Sequence, residues 1–165
     1  MSTAPTSFGA QDFYRDLHLV FDATLARTAG QPVLVDALLG QAFDSFHGNV
    51  PLQCEDEPAL ACQRGCGACC SLRVAATAPE VWLMARFLRA VAPRLLARGV
   101  DLLGRVREAN AATHGLSEPQ RVALNQPCAF VAQGVCVVYP VRTLACRGHA
   151  SHDAQACADA ALGRC

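Results

Sequence analysis

Four thiols within nine residues, Cys62-Gln-Arg-Gly-Cys66-Gly-Ala-Cys69-Cys70, constrain this chain more than any other stretch. Four more follow at wide spacing: Cys128, Cys136, Cys146 and Cys157. A packed apolar core has no need of these sulfurs. A tetrahedral divalent ion does need four donors, about 2.0–2.3 Å away and converging from different directions. Glycines between such donors allow positive φ without strain, and Gly65 and Gly67 are expected to use that freedom. Cys69 and Cys70 are adjacent, so their side chains leave the backbone in different directions in either a strand or a helix. They suit two neighbouring sites, or a polynuclear centre with bridging thiolates, better than one mononuclear ion. Eight sulfurs divide evenly into two sets of four.

Composition narrows what this cysteine knot can serve. The chain has 165 residues, room for one compact domain or a domain plus a short arm. Formal charge is zero, so no basic field draws nucleic acid and no polybasic run docks an anionic membrane. Residues 1–11 lack the charged-then-apolar order of a signal peptide. No apolar run reaches the roughly 18–20 residues needed to cross a bilayer. The expected compartment is therefore the cytoplasm, where thiols stay reduced, and ten cysteines there point to metal ligation before disulfides.

The rest of the chain reads as mainly α with a small β-hairpin, a single helical domain around the knot. Residues 1–58 are expected to form an N-terminal helical hairpin and connector, and residues 59–165 the cysteine-cluster region, in one compact unit. Phe13, Leu17, Val20 and Phe21 recur at helical spacing over 12–28. Gly30 and Pro32 then turn the chain into a second helix over about 33–47. This cysteine-free pair is expected to cover whatever the cysteines build. Residues 47–58 read as a polar connector. Thr77-Ala-Pro-Glu80 is a capping box opening a helix that Pro93 should close. A further helical segment spans about 94–113, weakened by Gly99 and Gly104. Ser117-Glu-Pro-Gln120 starts a short helix. Two short strands are expected at Ala129–Val131 and Val135–Tyr139, joined at Gln133-Gly134. A turn of helix should follow at Val141–Ala145, then a last helix holding Cys157.

Cations near thiols lower their pKa, and Arg64, Arg73, Arg142 and Arg147 lie within a few residues of the knot or its downstream partners. Other chemistries share parts of the pattern. Cys62-x3-Cys66-x2-Cys69 matches the iron–sulfur triad of radical-SAM enzymes, but this chain is far shorter than those barrels and has Ala68 where they carry an aromatic. Positions 62, 66, 69 and 70 would share a face if helical, as in thiol-lined copper-storing bundles, but two glycines interrupt the stretch. A nucleophilic cysteine served by His149 or His152 lacks a surrounding catalytic motif, and these histidines stand instead as reserve ligands.

Taken together, Cys62 to Cys70, Thr77-Ala-Pro-Glu80, Cys128-Ala-Phe130, Gly134-Val-Cys136, Tyr139, Arg142 and Leu144-Ala-Cys146-Arg147 resemble the CxxCxxCC (YkgJ-like) cysteine-cluster proteins, over about residues 60–160. The resemblance implies zinc or iron chelation, with Cys62, Cys66, Cys69, Cys70, Cys128, Cys136, Cys146 and Cys157 as the ligands and Cys54 and Cys165 as extras. The first gap is one residue longer than the family name indicates. Ala129 and Thr143 stand where prolines are often found, which should loosen those turns. Cys157 is assigned by spacing, and Cys165 is the other candidate for the eighth ligand.

The leading expectation is a non-catalytic metal-binding protein whose thiolate sites hold zinc or iron. The rival is an iron–sulfur protein serving an enzyme by electron transfer or as an accessory subunit. A third is an interaction module using an exposed stripe of Phe13, Phe21, Phe43 and Phe46 for a protein partner, although burial of all four is the favoured arrangement.

Overall fold

The computed structural model describes residues 10–63 and 65–162, and among them are seven α-helices, one 3-10 turn and one two-stranded hairpin. The fold is thus mainly α with a small β-hairpin. The chain divides into two units, residues 1–50 and 51–165, with the boundary falling inside a helix.

In the first unit α1 (Ala10–Thr28) and α2 (Leu34–Gln53) form the hairpin that the apolar periodicity requires. Gly30 takes a φ of +73°, the left-handed conformation that ends a helix cheaply. Leu39 and Phe43 are buried, and the buried Thr24 hydroxyl bonds Gln41 across the pair. Phe13, Phe21 and Phe46 are half-buried, so burial of all four phenylalanines holds fully at Phe43 alone. Residues 47–53 continue α2 and are not the connector expected from their polarity. Pro51 lies in the last turn, where its missing N–H deprives one carbonyl and little helix remains to be broken.

In the second unit α3 (Ala78–Leu96) begins at the Thr77–Glu80 capping box and passes through Pro93, again in its final turn. The segment expected over 94–113 is broken. Gly99 turns at φ +80°, and Asp101 caps α4 (Leu102–Thr113) by accepting the Gly104 N–H at 2.9 Å. Next comes α5 (Glu118–Leu124), opened by the capping box of Ser117 and Gln120. Strands β1 (Val131–Ala132) and β2 (Val135–Cys136) pair antiparallel with Val131 opposite Cys136. Gln133 and Gly134 both have positive φ, as a two-residue hairpin loop demands. The ladder is shorter than the sequence indicates, because Tyr139–Val141 winds into the 3-10 turn and α6 (Leu144–Arg147) follows. The last described helix is α7 (Ala154–Ala161).

α3 packs against α4 and against the 3-10 turn. Among the described residues of this unit the deeply buried apolar side chains are only Leu102 and Val138, and Glu80 and Thr143 are buried too. Val81, Trp82, Leu96, Leu103, Val122, Leu124 and Leu162 all face solvent. So thin a core leaves the unit dependent on other cross-links. No described helix is long and apolar enough to cross a membrane.

Candidate metal centre

The described residues between 62 and 70 make tight turns and no helix. The Cys66 N–H donates to the Gln63 carbonyl (3.0 Å), Cys70 to Gly67 (3.0 Å) and Leu72 to Cys69 (3.1 Å). Gly65 sits at φ +95°, as expected, whereas Gly67 is not among the residues of positive φ. Gly67 has open space around the position a Cβ would take, so steric demand does not explain it either.

Long-range backbone bonds tie this loop to the C-terminal third of the unit. The Cys128 N–H donates to the Cys70 carbonyl at 2.7 Å, and the Ala61 N–H to the Ser151 carbonyl at 2.9 Å. The Ser151 N–H also points at the Cys62 sulfur, 3.2 Å away. Segments far apart in sequence thus meet in one place. None of the nine described cysteines is in a disulfide.

Cys70, Cys128, Cys136 and Cys146 form one neighbourhood, and all are half-buried. Burial, then the thiolates of Cys69, Cys128, Cys136 and Cys146, push the Cys70 pKa up to about 11. Burial also raises Cys136, with Cys128 and Cys146 adding to it, against the Val138 N–H and the Arg142 charge. Cys128 is raised by burial and by Cys146, against the Phe130 N–H and Arg105. Cys70 therefore feels the other three thiols, and Cys128 and Cys136 both feel Cys146. Crowded thiolates are unfavourable until a cation neutralises them, which is the electrostatic condition for a soft metal site.

A second neighbourhood lies next to it. Cys62, Cys66, Cys69 and Cys157, together with His149, wall an open cavity of about 640 Å³, and most of its remaining lining is apolar, including Val122 and Ala123 of α5 and Ala160 and Ala161 of α7. Cys62 and Cys66 are exposed. Burial, then Cys146, Cys66 and Cys62, raise Cys69, so this residue faces both groups. Cys69 lines the cavity, and Cys70, adjacent in sequence, does not. His152 is not in the cavity wall, and its Nδ1 contacts the Pro58 carbonyl. Cys54 follows α2 and is half-buried. Cys165 and Arg64 lie outside the described residues.

The sulfurs are gathered but not converged. Among the described residues no group of three or more Cys, His, Asp or Glu side chains stands as a formed metal-holding set. The donor set still suits zinc or iron: soft sulfurs in fours, and a backbone N–H aimed at one of them.

Several positioning residues carry no local signature of the task. Glu80 accepts the Leu144 N–H at 2.7 Å, joining the start of α3 to the start of α6 and so placing Cys146. Thr143 caps α6 by accepting the Cys146 N–H at 3.2 Å. The turn there is fastened by the threonine and not loosened by the want of a proline. Arg105 of α4 donates to the carbonyls of Ala129 (3.1 Å) and Val131, clamping the chain beside Cys128. Of the arginines marked by sequence, Arg142 lies near Cys136, while Arg147 donates to the carbonyls of Arg142 and Pro140. Arg73 pairs with Glu118 instead.

Residues 61–161 match the family model CxxCxxCC, described as "Putative zinc- or iron-chelating domain". No curated protein and no solved structure matches the chain.

Proposed function

Because the chain belongs to the CxxCxxCC family of zinc- or iron-chelating description, we propose that it is a metal-binding protein whose ligands are Cys62, Cys66, Cys69, Cys70, Cys128, Cys136, Cys146 and Cys157, and that it catalyses no reaction of its own. One observation carries this reading: segments 62–70, 128–136 and 146–157 bring their thiols together in a unit with almost no apolar core. A bound ion would supply positive charge that relieves the thiolate crowding and a cross-link that the thin core does not provide. Binding draws the sulfurs inward from the positions they hold here. The matched stretch ends before Cys165, which favours Cys157 as the eighth ligand.

An iron–sulfur cluster serving a partner enzyme is the second reading, favoured by the N–H directed at the Cys62 sulfur, an interaction that tunes such clusters. Metal analysis of anaerobically purified protein tests both. Colourless protein with stoichiometric zinc supports ion chelation, and brown protein with iron and labile sulfide supports the cluster. Protein that holds neither metal and keeps its fold in chelator overturns the whole proposal.

A further inference from the structure

The eight thiols differ in how they are held. Cys128 and Cys70 are stitched together through the backbone, Cys136 lies in the β2 ladder, and Cys146 is fixed by the Thr143 cap. Arg105 grips the hairpin segment from α4. None of these four cysteines belongs to the wall of the 640 Å³ cavity. The other four all do, and two of them, Cys62 and Cys66, are exposed. His149 stands in that wall with them.

Resting on the chelation reading above, we propose that the chain carries two metal sites of unequal lability. The inner one, on Cys70, Cys128, Cys136 and Cys146, holds the fold. The outer one, on Cys62, Cys66, Cys69 and Cys157, exchanges its ion through the open cavity, with His149 as the replacement donor. Ligand exchange at a four-thiolate ion requires an incoming donor to reach the metal as one sulfur leaves. The cavity gives that approach at the outer set. At the inner set a cap, a ladder and the Arg105 clamp fix the backbone at or beside Cys128, Cys136 and Cys146, and all four cysteines are half-buried where Cys62 and Cys66 are exposed. The Cys69–Cys70 step places the sites side by side, so an ion released by one does not require the other to open.

The test is chelator challenge of the full chain, carrying whichever of zinc or ferrous iron it holds after anaerobic purification, followed by native mass spectrometry. Two bound ions are expected, one leaving about tenfold or more faster than the other. Iodoacetamide labelling of the one-ion species, mapped by peptide mass, should modify Cys62, Cys66, Cys69 and Cys157 and spare Cys70, Cys128, Cys136 and Cys146. A Cys62→Ser/Cys66→Ser variant should lack the fast ion and keep the slow one, while His149→Ala should alter only the fast rate. A single release rate, or protection spread over both sets, overturns the partition and leaves chelation intact. The labelling needs no variant to fold. A chain that takes up neither metal overturns the partition and the chelation reading together.

Discussion

Glu80 shows how one side chain can organise a site from which it is absent. One carboxylate oxygen accepts the Thr77 N–H at 2.8 Å, closing the capping box. The other accepts the Leu144 N–H at 2.7 Å. Both acceptors are needed, so Glu80→Gln sets an amide N–H against a backbone N–H and should cost about 1–3 kcal/mol in chemical denaturation. The pH dependence follows from the same contacts. Burial alone raises the Glu80 pKa, but the Thr77 and Leu144 N–H groups, the Thr77 hydroxyl and the Arg147 charge outweigh it and hold the carboxyl below its ordinary range. With the folded pKa below the unfolded one, the stabilisation is complete above the ordinary 4.5 and is lost as pH falls through the depressed value. Denaturation midpoints taken from neutral pH downward should therefore fall more steeply for the native chain than for Glu80→Gln. Equal acid slopes would rule out this role. At Thr143, replacement by alanine removes the α6 cap and should cost about 0.5–2 kcal/mol, with serine recovering most of it.

Among the elements, those with purely local causes were readable in the sequence. The two capping boxes, the α1 and α2 periodicities and the Gln133-Gly134 turn all act within a few residues, and the structure places them accordingly. Pro93 does not close α3, because near a helix C-terminus a proline removes a single hydrogen bond, and the polarity of 47–53 conceals a continuation of α2 that carries Pro51 in the same way. The knot itself was legible as chemistry, since spacing exposes clustered thiols. Which sulfurs become neighbours was not legible: no local pattern announces that Cys70 meets Cys128 or that Glu80 meets Leu144. Such contacts depend on the tertiary path. The hairpin loop offers a clean check at this scale. Gly134 has φ +74° with open space around it, so Gly134→Ala meets backbone strain and no clash, and should cost about 1–2 kcal/mol in the unit carrying Cys136. A neutral effect would mean that β1–β2 contributes little to holding that cysteine.

Across the whole molecule, an imbalance between apolar surface and apolar core should couple stability to metal. Among the described residues of the second unit the deeply buried apolar side chains are Leu102 and Val138 alone, while Trp82 and several leucines and valines remain in solvent. Burial at about 25 cal/mol per Å² stabilises little when so few side chains are enclosed. An ion bound by native thiols and ignored by the unfolded chain adds RT ln(1 + [M]/Kd), about 4 kcal/mol at a thousandfold excess over Kd, and unfolded-state binding through the same cysteines reduces it. The sole tryptophan, Trp82, lies on α3 with the Arg86 guanidinium 4.7 Å above its ring, so its fluorescence reports on this unit. Thermal melts followed at Trp82 should shift upward on metal loading and return on chelation. Lowering the pH should erase the shift, because protons compete with the ion for every sulfur. A Trp82 transition that ignores both chelator and pH would mean that the cysteine unit stands without its ion, and the link between thin core and thiol cluster would fail.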